Sequence, residues 1–398
     1  MKNKVISVLS ALILCLTVPV TSCSSKLPPE TLPPETEAVT VTETSEETEE
    51  TVAVTEETEE TVGPNSTAQV LDVPVEVNGQ LRVEDGHLVN ESGEQIQLKG
   101  MSSYGVSSIF RFFNDDVTQT LVEDWGCQVI RLAMTTRGYD NGYTYDPERF
   151  FEEVCGYTDT IIEHGAYVII DWHILYDGDP TEYQDEAVDF FSRMSAIYGD
   201  YPNVIYEICN EPNGMSVADP EAPVDWENVI KPYAETVIDA IRENDPDNII
   251  IVGTPNWSQD VDIVSENPIS GDNIMYAFHF YAGSHGQDLM NKLQTALDNG
   301  LPVFCTEWGT SQDSGGGGVY YEETLAWMQL LDDNGISWCN WSIGGSNTES
   351  SNALKLYSNH FTVEQKIGGH WPDEMLSDSG LFVRSLILGW EFEIPEEG

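Results

Sequence analysis

Eight short apolar runs, separated by amphipathic stretches, constrain this chain more than any other feature. The runs are Ile96–Met101, Val129–Met134, Tyr167–Trp172, Val204–Asn210, Ile249–Gly253, Ile274–Tyr281, Val303–Trp308 and Ile336–Trp341. Near-continuous apolar character bounded by turn residues is the mark of a strand buried on both faces. Between them Pro147–His164, Glu186–Tyr198, Ile230–Glu243, Gln287–Asn299 and Tyr320–Asn334 carry apolar residues at helical spacing. Three of these stretches run into His164-Gly165, Asn299-Gly300 and Asn334-Gly335, the left-handed stop that ends a helix before the next strand. Eight strand–helix repeats predict an α/β fold closed as a parallel (β/α)8 TIM barrel. An open doubly wound sheet is the alternative. It needs a Gly-rich phosphate turn after the first strand, and Gly100-Met101-Ser102-Ser103-Tyr104-Gly105 is a poor one. Ahead of the barrel, Leu81–Val89 and Glu91–Ile96 read as small hairpin turns placed to close its floor.

The first 65 residues cannot belong to that core. Residues 1–22 read as an export signal: Lys2 and Lys4 give a positive start, and Val5–Val20 is apolar but short for a membrane span. Val20-Thr21-Ser22-Cys23 resembles a bacterial lipoprotein cleavage box, which implies a diacylglycerol thioether on Cys23; an ordinary secretory signal is the plainer reading. Residues 23–65 are of low complexity. Leu27-Pro28-Pro29-Glu30-Thr31 repeats as Leu32-Pro33-Pro34-Glu35-Thr36, and 12 Glu but no Lys or Arg lie between Leu27 and Gly63. Such a segment buries no core and repels itself, so an extended, disordered acidic linker reaching about 100 Å is expected. Residues 66–398 are left for the folded domain, with Gly315–Gly318 as a loop at its rim.

Charge narrows the partners. Of 16 basic and 69 acidic residues, Lys2, Lys4, Lys26 and the 12 linker Glu lie outside the domain, leaving 13 against 57 and a net charge near −44. Nucleic acid and anionic membrane surfaces both demand positive charge and are excluded as partners; contact with a membrane is expected only through the N-terminal lipid. A neutral polymer such as a polysaccharide fits. Five cysteines remain in the domain, Cys127, Cys155, Cys209, Cys305 and Cys339. Their odd number prevents complete internal pairing and their spacing is not that of a metal knot. Cys209, Cys305 and Cys339 fall in predicted strands and read as small buried apolar groups.

Two of the runs end in a glutamate and then a breaker. These are Tyr206-Glu207-Ile208-Cys209-Asn210-Glu211-Pro212 and Pro302-Val303-Phe304-Cys305-Thr306-Glu307-Trp308-Gly309. A carboxylate at the C-terminal tip of a barrel strand sits at the face where such barrels keep their active sites. A single one is as easily a helix cap or a solvated group. Two, from two strands, are the minimum equipment for cleaving a glycosidic bond: one gives a proton to the leaving oxygen, and the other either traps the anomeric carbon or activates water.

The residues around them resemble glycoside hydrolase family 5, also called cellulase family A, and are most similar to its bacterial endo-β-1,4-glucanases. The resemblance rests on Asn210-Glu211-Pro212 and Thr306-Glu307-Trp308-Gly309. It extends in order through Leu98-Lys99-Gly100-Met101-Ser102-Ser103, Val129-Ile130-Arg131, Val168-Ile169-Ile170-Asp171-Trp172-His173, Asp177-Gly178-Asp179-Pro180, His279-Phe280-Tyr281 and Asn340-Trp341-Ser342, covering about residues 75–345. The resemblance implies a retaining hydrolase with Glu211 as general acid/base and Glu307 as nucleophile. Glu211 would be protonated because ionised Glu307 lies close. Arg131 and Tyr281 would hold Glu307, Asn210 would bond the sugar 2-hydroxyl, and His279 would sit beside Glu211. His173 would line the pocket, with Trp341 and Trp257 as flat platforms for sugar rings. No cofactor and no metal are implied; Asp171, His173 and His279 lack metal spacing. A monomer is expected.

Each supporting residue also has a bland reading. Arg131 could be a buried structural ion pair, His173 and His279 satisfied core histidines, and Trp257 and Trp341 rim packing. The chain departs from the family pattern at Tyr104, where many relatives carry His, and at Ser107-Ser108, where an aromatic platform is expected unless Phe110 or Phe112 replaces it. It departs again at Thr135, where Tyr is expected, and at Gly344-Gly345-Ser346, where a Lys is missing. The sugar therefore stays open among cellulose, mixed-linkage glucan, xyloglucan and mannan. A surface glycan-binding protein that kept the groove without turnover is the reading from another class.

Overall fold

The computed structural model describes residues 72–105, 114–138, 141–344, 350–355 and 361–395. Residues 1–71, which carry the expected export signal, Cys23 and the expected linker, lie outside them, as do Ser107, Ser108, Phe110, Phe112 and Ser346.

A short helix (Pro74–Asn78) and then a hairpin lead the domain: β1 (Arg82–Glu84) pairs antiparallel with β2 (His87–Val89). Eight parallel strands come next: β3 (Lys99–Ser102), β4 (Val129–Thr135), β5 (Tyr167–His173), β6 (Val204–Glu207), β7 (Ile250–Val252), β8 (Ile274–Tyr281), β9 (Val303–Gly309) and β10 (Trp338–Trp341). Each pairs with the next, and β10 returns to β3 through Trp338 opposite Lys99 and Trp341 opposite Ser102, which closes the barrel. The open-sheet alternative is thereby set aside. All eight expected strands are present. The fourth is shorter than expected, ending at Glu207 rather than Asn210, although Ile208 and Asn210 still donate their backbone N–H groups to the Ile251 and Trp172 carbonyls.

The helices form where their spacing places them. In Pro147–Glu163, with Pro in the first turn where its missing N–H costs nothing, Phe150, Val154, Thr158 and Ile161 fall on one buried face. The helix stops at Gly165 with φ 72°. Lys231–Arg242 buries Tyr233, Ala234, Val237, Ile238 and Ile241. Each large apolar side chain so buried contributes about 1.5–3 kcal/mol.

Strand alternation then sorts side chains into two cores. Val168, Ile170 and Trp172 point out beneath the helices, while Tyr167 and Ile169 point into the barrel. Leu81 and Leu88 of the hairpin region join the interior cluster with Leu98, Ile205, Met275 and Phe304, so the hairpin does plug the floor. The same inward series continues upward from Ile169 to Asp171 and His173, and from Ile205 to Glu207. The lower barrel is apolar and the upper barrel is charged. All five domain cysteines are free thiols, and four of them are buried.

Candidate active site

Alternation alone does not explain β9. Phe304 points into the barrel and Cys305 out, so Thr306 should point in and Glu307 out. The pairing with β8 slips here: Ala277 lies opposite Phe304, but His279 lies opposite Glu307. Between these pairs Phe278 of β8 therefore faces both Cys305 and Thr306 of β9. The pairing of β9 with β10 slips at the same place, between Cys305 and Trp308. This is a β-bulge, which re-aims a side chain. Its consequence is that Thr306 and Glu307 both face the interior. Thr306 reaches His279 and Glu207, while Glu307 reaches Arg131 and Tyr281.

Arg131, on β4 and fully buried, is the hub. Nε and Nη2 grip Glu207 at 2.7 and 3.2 Å, Nη2 also meets Asp171 at 2.9 Å and Asn210 Oδ1 at 2.7 Å, and Nη1 donates to Glu307 Oε2 at 3.1 Å. Burial disfavours its charge, but Asp171, Glu207 and Glu307 more than compensate and hold its pKa far above the ordinary value. Tyr281 donates its hydroxyl to Glu307 Oε1 at 2.8 Å. Both oxygens of Glu307 thus accept from fixed donors, which sets the orientation of the carboxylate. Gly309 makes room for this: a Cβ there would lie 2.4 Å from the Tyr281 ring.

Glu211 sits in different surroundings. Its Oε1 lies 2.9 Å from His279 Nδ1, and only 7% of the residue is exposed. Burial pushes its pKa up to about 7, opposed by His173 and Arg131 and assisted by Asp171 and Glu207. The expectation that Glu307 raises it therefore needs correcting, because removal from water is the principal cause. One oxygen of Glu211, one of Glu307 and a nitrogen of His279 lie within 4.8 Å of one another. A cation could bridge such a triad, but both ring nitrogens of His279 and both oxygens of Glu307 are already engaged by protein groups. The arrangement is that of an acid facing a carboxylate.

These groups open into a cleft of about 740 Å³. Trp341 lies on its wall, stacked on His173 with ring centres 5.3 Å apart and planes at 3°, and the Tyr104 ring is tilted against it with centres 5.4 Å apart. His173 is held by Asp171, Nδ1 to Oδ2 at 2.7 Å. Trp257 lines the cleft with 45% of its surface exposed. It sits in a run of left-handed residues, Asn256, Trp257 and Ser258, with φ 59°, 58° and 54°. Non-glycine residues pay for that conformation. Here it is held by Trp257 N–H donating to the Pro212 carbonyl and Ser258 Oγ donating to the Asn210 carbonyl. The strained turn is tied directly to Asn210-Glu211-Pro212. Thr135 also lines the cleft.

Every site residue expected from the sequence among the described residues is thus gathered here: Arg131, His173, Asn210, Glu211, Trp257, His279, Tyr281, Glu307 and Trp341. Sequence reasoning passed over Glu207, Thr306 and Tyr176. Glu207 was open to discovery, since it lies two residues beyond inward Ile205. Tyr176 is 74% exposed on the cleft rim, its ring under the Arg137 guanidinium. An apolar ring left in water at a binding cleft marks a contact surface. Trp257→Ala and Tyr176→Ala should each raise KM on an oligosaccharide filling the cleft by roughly tenfold, with little loss of kcat. Unchanged KM in both would make these rings mere surface.

Residues 89–347 match the family described as Cellulase (glycosyl hydrolase family 5). Endoglucanase A of Evansella cellulosilytica is 49% identical over 295 residues, which is 74% of this chain and 57% of that protein. An endoglucanase of Clostridium saccharobutylicum is 44% identical over 338 residues, 85% of this chain and 71% of the relative. The chain thus spans little more than half the length of the first of these. Among solved structures, the catalytic domain of Thermobifida fusca endoglucanase Cel5A, in complex with cellotetraose, is 35% identical with a TM-score of 0.72, covering 80% of this chain and all of that one.

Proposed function

Because this chain belongs to glycosyl hydrolase family 5, the cellulase family, we propose that it is an endo-β-1,4-glucanase that cleaves β-glucan by double displacement with retention. The observation that carries this is the close approach of two unlike carboxyl groups, Glu211 and Glu307, with oxygens within 4.8 Å. Retaining enzymes hold the pair about 5–5.5 Å apart, whereas inverting ones need about 6.5–9.5 Å to admit a water.

The surroundings assign the roles. Glu307, bare and oriented by Arg131 and Tyr281, attacks the anomeric carbon. Glu211, buried and able to hold its proton near neutrality, protonates the leaving oxygen. It then takes a proton from the water that hydrolyses the glycosyl ester on Glu307. Asn210, fixed by Arg131 and by the Ile174 carbonyl, is placed to bond the sugar 2-hydroxyl, and Trp341 and Trp257 receive ring faces. A cello-oligosaccharide is the expected ligand, as in the Thermobifida relative. Tyr104 and Thr135 stand in the cleft where the family pattern has His and Tyr, so the panel of substrates decides among glucan, xyloglucan and mannan.

The test is sugar release from soluble cellulose derivative, barley glucan, xyloglucan and mannan by the domain and by Glu211→Gln. Release from the glucans, with the β-anomer as first product by proton NMR, supports the reading. Preference for mannan or xyloglucan would reassign the substrate, and binding without release would make the protein a glycan-binding module. Activity should fall as pH rises through about 7, because the acid then loses its proton. A plateau to pH 9 would argue that another group protonates the leaving oxygen.

The same reading places the domain at the cell surface, tethered through Cys23 at the end of the acidic linker. It is supported by the positive start at Lys2 and Lys4 and by the Val20-Thr21-Ser22-Cys23 box. Labelled fatty acid should enter the wild-type chain and not Cys23→Ala; equal labelling would refute it.

A further inference from the structure

His279 has two ring nitrogens, and both are occupied. Nδ1 lies 2.9 Å from Glu211 Oε1, and Nε2 lies 2.9 Å from Thr306 Oγ1. Burial works against the charged ring and brings its pKa down to about 4, so at neutral pH it carries one proton. The position of that proton decides the sense of the bond to Glu211. From Nδ1 the ring would donate and favour a bare Glu211 carboxylate. With the proton on Nε2, Nδ1 accepts, and only a protonated Glu211 completes the bond.

Thr306 decides which. Its one hydroxyl proton is donated to Glu207 Oε1 at 2.7 Å. Burial works to raise the Glu207 pKa, but Arg131 donates to both of its oxygens, and a carboxylate is the form that accepts from Nε, Nη2 and the Thr306 hydroxyl together. With that proton committed, the hydroxyl offers His279 only lone pairs. Thr306 and Glu207 are fully buried, so water does not supply another partner. We propose that Thr306, anchored by Glu207, is a positioning residue that locks His279 in the Nε2–H tautomer and thereby keeps Glu211 loaded with its proton in the resting enzyme. The inference deepens the reading of Glu211 as the acid and rests on it.

The other charged and titratable groups facing this pair are Arg131 on β4, Asp171 and His173 on β5, Glu307 on β9 and Tyr281 on β8. Glu207 Oε1 itself lies 3.9 Å from His279 Nε2, beyond hydrogen-bond reach. The lock also serves the second half of the reaction. When Glu211 Oε1 gives its proton to the leaving oxygen, the glycosidic C–O bond breaks and Glu307 bonds to carbon. Nδ1 then turns its lone pair toward a bare carboxylate. That repulsion raises the affinity of Glu211 for the proton of the incoming water, whose oxygen displaces Glu307.

The experiment uses Thr306→Val, which keeps the shape without the hydroxyl, and Thr306→Ser, which keeps the hydroxyl. Nitrogen NMR of the His279 imidazole in the resting protein should show Nε2 protonated in wild type and Thr306→Ser. Thr306→Val should gain the Nδ1–H form, and the alkaline limb of its kcat/KM profile should move down by roughly half a pH unit or more, with the acid limb unmoved. An Nδ1–H wild type overturns the proposal, as does a folded Thr306→Val with unchanged tautomer and limb. Should Thr306→Val not fold, the wild-type tautomer still decides. The NMR needs no substrate: an Nε2–H ring in a protein that releases no sugar would sink the hydrolase reading and leave the lock standing.

Discussion

Glu307→Ala should lose on the order of 10⁴-fold or more in kcat, and azide should restore turnover of an activated aryl cellobioside with an α-glycosyl azide as product. The geometry dictates the sign of that product. Arg131 Nη1 and the Tyr281 hydroxyl fix Glu307 by one oxygen each, so under the proposed mechanism a small anion filling the vacated space attacks from the side Glu307 would have used. In Glu211→Ala the glycosyl ester on Glu307 still forms when the leaving group needs no acid. Azide must then enter from the opposite side, and the product is the β-azide. The two variants are thus told apart by product stereochemistry as well as by rate. If Glu307→Ala keeps more than a tenth of wild-type kcat, or if azide gives the β product there, Glu307 is not the nucleophile. The prediction depends on the bulge in β9 as much as on the glutamate. A regular strand would have sent Glu307 outward beneath the helices, where Cys305 and Trp308 lie.

That bulge also marks how far the sequence could be read. Strand positions were legible because a strand buried on both faces is apolar at every residue, and the helix stops were legible because Gly165, Gly300 and Gly335 adopt positive φ. Glu211 and Glu307 stood out as charges at the ends of such runs. The direction of Glu307 was not legible, since a bulge is a property of two paired strands and the register of β8 against β9 is not written in either alone. Asp171 and Glu207 stand within recognisable motifs yet drew no role from the sequence, although the alternation from Ile169 and Ile205 carries both onto the inner face. The source of the Glu211 proton was misjudged for a related reason. A pair of carboxylates suggests mutual repulsion, but the depth of burial that raises this acid appears only once the barrel is closed. Trp257 was legible as an aromatic near the rim, whereas its left-handed backbone and its tie to Pro212 required coordinates.

Arg131→Met should destabilise the fold by about 3–5 kcal/mol, because it leaves buried carboxylates without their counter-charge. One guanidinium stands against Asp171, Glu207 and Glu307, and none of the other charged groups described around this hub is a lysine or arginine. Asp171 already shows how a carboxyl group responds when that counter-charge falls short. Burial outweighs the attraction of Arg131 and pushes its pKa up to about 8, and its Oδ1 has no hydrogen-bond partner among the described residues. Its folded pKa lies above the ordinary carboxylate value, so between about pH 4 and 8 the folded state holds a proton that the unfolded chain has released. Stability therefore falls as pH rises through that window. Without Arg131, Glu207 must behave like Asp171 and fold as an acid, at a cost of about 1.4 kcal/mol for each pH unit above its solution pKa. The deficit of Arg131→Met should accordingly be small near pH 5 and large near pH 8. Urea unfolding of wild type and variant at both pH values measures it directly. A deficit that is the same at both, or larger at pH 5, would mean that Arg131 stabilises the barrel by packing and not by holding Glu207 ionised.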